Sequence, residues 1–102
     1  MNKYILDKKG RPVFEPDLIK WSEWFEHSRT QRIVKQEIIG KSKVSTVFLS
    51  FDHGWGLRGP LLWETMVFGG KLDQEQDRCS GNREQAEAMH ERMVKRVKKG
   101  KK

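Results

Sequence analysis

Residues 44–70 read VSTVFLSFD, HGWGLRGP and LLWETMVFGG in succession, and this stretch decides the fold. Two apolar runs flank a turn region that holds Gly54, Gly56, Gly59 and Pro60. Strand side chains alternate, so Val44, Thr46 and Phe48 fall on one side of the first run and Val47, Leu49 and Phe51 on the other. In the second run Leu61, Trp63, Thr65 and Val67 alternate with Leu62, Met66 and Phe68. The β-branched and aromatic content favours strand over buried helix. An antiparallel strand with one wet face alternates polar with apolar residues, and these two do not. The pattern predicts a central β-hairpin with both faces at least partly covered.

Glu64 interrupts the second run on an otherwise apolar side. A carboxylate there must pair, sit at a wet margin or take up a proton. If Asp52 pairs with Leu61, Glu64 faces Leu49 and lies roughly 10–13 Å along the ladder from His53, at about 3.3 Å per residue. One metal ion does not bridge that gap, and no metal or cofactor is expected. The natural partner for Glu64 is His90, which sits in the apolar stripe of the last predicted helix. A structural Glu64–His90 pair is therefore expected.

The tip between the strands is the predicted binding surface. Its glycines allow positive φ and close approach by a partner. Trp55 and Arg58 are residue types enriched at interface hot spots, and His53 stands beside them. The glycine spacing matches no phosphate-binding loop, since GxxxxGK[ST] is absent.

At 102 residues, 35% of them hydrophobic, the chain has the size of one small domain. The expected domain spans residues 1–99, with 100–102 the end of a basic tail. No segment approaches the ~20 apolar residues that span a bilayer, and no run of signal-peptide length opens the chain. The single cysteine, Cys79, excludes an internal disulfide and fits a reducing cytoplasm. The net charge is +7. Residues 92–102 carry seven basic side chains, Arg92, Lys95, Arg96, Lys98 and Lys99 among them, and no acid. Of the 21 Lys and Arg in the chain, 14 remain elsewhere, matched by 14 Asp and Glu. The basicity therefore belongs to the C-terminal segment, where salt-sensitive contact with phosphates is the nucleic-acid alternative.

Around the hairpin, residues 4–7 and 12–14 read as a short strand, a glycine turn and an extended return. Glu15, Pro16 and Asp17 open a helix that runs to about His27. Its apolar stripe is Leu18, Trp21, Phe25 and Ser28, with Ile19 and Trp24 beside it. Residues 31–39 read as a strand that Gly40 turns into Val44, and 71–77 as an exposed acidic connection. Arg78, Cys79 and Ser80 read as a short edge strand. Asn82 and Gln85 have capping-box spacing, opening a helix to about Lys99 whose stripe is Ala86, Met89, His90, Met93 and Val97.

The runs VSTVFL (44–49), DH (52–53), GPLL (59–62), ETMVFGG (64–70) and AEAMH (86–90) together resemble a family of small uncharacterised proteins encoded by bacteriophages and prophages. The likeness extends from YILD (4–7) and EPDLIKWSEWFE (15–26) to the last helix. It implies a phage context inside a bacterial host cell. It implies no reaction, cofactor or catalytic residue.

The fold class expected is α+β: a mainly antiparallel sheet of three to five strands with two helices packed on it. Two helices on one face leave the other partly apolar, a place for a second copy or a partner. The function expected is that of a non-catalytic phage accessory protein that binds a macromolecule, with a protein partner favoured. A nucleic-acid binder using the basic segment is the alternative. A small enzyme built on Asp52, His53, Glu64 and His90 is a second one, which requires those groups to converge.

Overall fold

A computed structural model describes residues 2–52 and 59–100. The α+β expectation holds. A four-stranded antiparallel sheet has the order β3 (Ile33–Ile39), β4 (Ser42–Phe48), β5 (Trp63–Phe68) and β6 (Gln76–Cys79). A separate two-stranded ribbon pairs β1 (Tyr4–Leu6) with β2 (Pro12–Phe14). The helices are α1 (Leu18–His27), the single turn α2 (Arg29–Arg32) and α3 (Arg83–Lys99). Residues 31 and 32, expected to begin the third strand, belong to α2 instead.

The predicted hairpin forms, with a shifted register. Val44 pairs with Val67, Thr46 with Thr65 and Phe48 with Trp63. Glu64 thus faces Val47, not Leu49. The cause is Ser50, whose φ of 68° turns the chain out of the ladder. Its carbonyl accepts from Tyr4 N–H at 2.9 Å, and Phe51 bridges Lys3. The first run therefore leaves the sheet early and ties it to the β1–β2 ribbon.

One face of the sheet is the core. Phe48, Trp63, Leu62, Leu6, Ala86 and Met89 form one cluster; Val44, Val67, Leu72, Met93 and Val94 form another. Helix α3 supplies the covering layer, and its start is fixed as predicted: Asn82 and Gln85 cap each other reciprocally. Helix α1 is capped by the Asp17 carboxylate, which accepts from Ile19 and Lys20 N–H. It buries Trp21 against Phe51, ring centroids 4.9 Å apart, and lays Trp24 edge-on to Phe48. Leu18 and Ile19, expected in that stripe, are 58% and 71% exposed. The stripe narrows because α1 packs on the ribbon and the end of the sheet rather than across it.

Candidate functional site

The opposite, outer face of the sheet is the candidate surface. Three rows of side chains cross it: Ile38, Lys43 and Phe68; Gln36, Ser45, Met66 and Gln76; and Ile33, Val47, Glu64 and Arg78. Ile38 is 73% exposed and Phe68 45%, while Ile33, Val47 and Met66 are half-buried. The hairpin is thus fully covered on one side and partly covered on the other. Lys43 lies between Ile38 and Phe68 and makes no ion pair among the described residues. Two polar pairs lie elsewhere on this face: Gln36 donates to Ser45 Oγ at 2.9 Å, and Arg78 Nε to Glu64 Oε2 at 2.8 Å.

The expected Glu64–His90 pair does not form. Glu64 lies on the outer face directly across the ladder from Arg78, and His90 is buried on the inner face. A carboxylate on a strand meets its cross-strand neighbour first, and once β6 is placed that neighbour is an arginine.

His90 has other partners. Its Nδ1 lies 2.6 Å from Thr46 Oγ1, which lies 2.5 Å from Thr65 Oγ1, and its Nε2 lies 2.8 Å from Glu37 Oε1. With Glu37 ionised, the ring proton is assigned to Nε2, so Nδ1 accepts from Thr46 and Thr46 accepts from Thr65. The hydrogen bond from His90 holds the Glu37 carboxyl below its ordinary value, and Lys35 adds to this. Lys35 Nζ also reaches Glu91 at 3.0 Å, and these carboxylates, Glu91 foremost, raise the lysine.

A hydroxyl, an imidazole and a carboxylate in series have the connectivity of a nucleophilic triad. Thr46 and His90, however, are both 0% exposed, so no substrate reaches the hydroxyl. The arrangement satisfies buried polar groups and holds α3 to β3 and β4. Ligand atoms of Glu37, His90 and Glu91 lie within 4.8 Å of one another, a spacing that a metal ion can use. The Lys35 ammonium bonds both carboxylates, so the positive charge this cluster calls for comes from the chain itself.

A cleft of about 410 Å³ opens between β6 and α3, lined by Leu61, Arg78, Cys79, Ser80, Gln85 and Arg92 among others. Burial pushes the Cys79 thiol up, Asp77 adds to the effect and Arg92 opposes it. Such a thiol is a poor nucleophile at neutral pH.

The basic segment is not a loose tail as far as Lys99. Arg92, Lys95, Lys98 and Lys99 are exposed positions on the last turns of α3, and Arg96 pairs with Glu75 at 2.8 Å. Glu84, Glu87 and Glu91 occupy the first half of the helix. Acids near the N-terminus and bases near the C-terminus both match the helix dipole, which accounts for part of this asymmetry without a ligand.

Of the remaining predicted residues, His53, Trp55 and Arg58 lie outside the described residues. Asp52 closes the described base of the tip, accepting from Leu61 N–H at 3.1 Å. Sequence reasoning missed Glu37, Thr46 and Lys35 as partners of His90. The one signal for them was polar residues recurring on strands otherwise rich in apolar ones. Among the described residues, no helix is long and apolar enough to cross a membrane. Comparison with protein-family models, with curated proteins and with solved structures finds no match to this chain.

Proposed function

We propose that this is a non-catalytic binding protein, an accessory factor of a phage or prophage, that docks another protein on the outer face of its sheet. The observation that carries this reading is the row Ile38, Lys43, Phe68: two exposed apolar side chains flank a cation with no ion pair among the described residues. Apolar area excludes water from a contact, and a lone ammonium amid it selects a partner that brings a carboxylate. The complement is an apolar surface bearing Asp or Glu. An enzymatic reading draws no support from Glu64 and His90, which lie on opposite faces of the sheet.

The test is affinity capture from host-cell lysate with wild type and with Phe68→Glu, each with and without nuclease. A protein retained by the wild type in the presence of nuclease and lost with Phe68→Glu supports the proposal. Capture that nuclease abolishes, and that falls with Lys95→Glu and Lys99→Glu, transfers the function to the basic turns of α3 and nucleic acid. Both Phe68 and the two lysines are exposed, so these variants leave the core intact.

A further inference from the structure

The two edges of the sheet differ. β6 is four residues long and carries Asp77 and Arg78; β3 is seven residues long, has no proline, and holds three isoleucines beside Lys35 and Glu37. A long edge strand is a template for pairing with another strand.

The hydrogen-bond parity shows which groups of β3 are open. Leu49 N–H donates to Leu62 C=O, so odd-numbered residues of β4 turn their main chain toward β5 and even-numbered ones toward β3. The β3 partners of the even residues are Lys35, Glu37 and Ile39. The main-chain N–H and C=O of Gln36 and Ile38 therefore point off the sheet. The register slips between Ile33 and Lys35, and just before the slip the Ile33 carbonyl accepts from Arg83 Nη2 at 3.3 Å. That arginine stoppers one end and confines the open edge to the stretch around Gln36.

We infer that a second copy of this chain pairs with this edge, β3 antiparallel to β3 about a two-fold axis at Gln36, giving one continuous eight-stranded sheet. Charge complementarity identifies the occupant and the register together. About Gln36, Lys35 stands opposite the partner's Glu37 and Glu37 opposite the partner's Lys35, two favourable cross-strand pairs. A two-fold at Glu37 sets Glu37 against the partner's Glu37, two like charges directly opposed. In the Gln36 register Gln36 exchanges main-chain bonds with the partner's Gln36. Self-pairing needs a strand whose charges are opposite in sign and symmetric about its centre, and residues 35–37 read Lys, Gln, Glu. The contact is made by the main chain of the edge strand, and of the docking row only Ile38 lies on that strand, so it does not rest on the docking proposal.

Sedimentation equilibrium of the purified chain tests the pairing, beside Gln36→Pro. Proline at a position whose N–H points off the sheet spares the main-chain bonds to β4, losing only the side-chain bond to Ser45, and removes the one to the second copy. The expected result is a concentration-dependent dimer for the wild type and association at least about tenfold weaker for Gln36→Pro. A second pair of variants, in a Cys79→Ser background with oxidised glutathione as the oxidant, reads the register without relying on proline. Gln36→Cys is expected to give a disulfide-linked dimer. Ile38→Cys is not, because the two Ile38 lie about 13 Å apart along the paired strands, at ~3.3 Å per residue. A wild type that is monomeric at every concentration, a dimer that Gln36→Pro leaves unchanged, cross-linking through Ile38→Cys, or a different polypeptide bound at this edge in place of the second copy would each overturn the inference.

Discussion

His90 Nε2 and Glu37 Oε1 lie 2.8 Å apart, joining the middle of α3 to the edge strand β3. The histidine is fully buried and the carboxylate partly exposed, so the pair links the core to the surface. Behind the ring, Thr46 and Thr65 complete a chain of four side chains whose donors and acceptors match.

That chain has a weakest removal. Thr46→Val keeps the volume but leaves His90 Nδ1 and the Thr65 hydroxyl unpaired in the core. It is expected to cost about 1–3 kcal/mol. Thr65→Val removes a donor that serves Thr46 alone and is expected to cost under about 1 kcal/mol. Urea unfolding of both variants checks the order, with an unchanged m-value as control.

The Lys35–Glu37–Glu91 cluster sets a pH dependence at both ends. Glu37 has its folded pKa below the ordinary 4.5, so its contribution is present above that value and is lost as pH falls through the folded one. Lys35 has its folded pKa above 10.5, so its contribution is present below that value and is lost as pH rises through the folded one. Thermal unfolding against pH is expected to show a flatter acid limb for Glu37→Gln and a flatter alkaline limb for Lys35→Met.

Ser50 combines a φ of 68° with a fully buried hydroxyl that has no hydrogen-bond partner among the described residues. Glycine relieves the left-handed backbone and removes the orphan hydroxyl, against a larger entropy loss on folding. Ser50→Gly is expected to raise stability by about 1 kcal/mol. Ser50→Val, β-branched at the same φ, is expected to lower it, and the two midpoints in urea decide the matter.

Alkylation of Cys79 by iodoacetamide at neutral pH is expected to be slower in the folded chain than in urea, because burial raises the thiol. Asp77→Asn removes a charge that raises it further and should speed the reaction. Arg92→Ala removes the opposing charge and should slow it.

What could be read before any coordinates was local. The capping box of Asn82 and Gln85 was legible because a cap needs only residues within one turn of it, while Asp17, expected inside the first turn of its helix, is the N-cap one residue ahead of it. The alternation of β4 and β5 sorted their residues into two sides correctly, and the structure buries the side of Val44, Thr46, Phe48, Trp63, Thr65 and Val67. The ladder register was misplaced by two residues because Ser50, an ordinary serine in sequence, adopts a left-handed conformation that its distant contact with Tyr4 accompanies. Glu64 and His90 were correctly singled out as polar groups in apolar settings, and wrongly joined.

The sequence alone determined most of the elements, the capping box of the last helix and the placement of excess positive charge at the C-terminal end. These depend on periodicity and on neighbours a few residues away. Only the tertiary structure decided which face α3 covers, that His90 answers to Glu37 and Thr46, and that β3 is an edge. Those outcomes depend on which strands become neighbours and on which side the helices land, and chain separations of 44 and 53 residues leave no local trace of them.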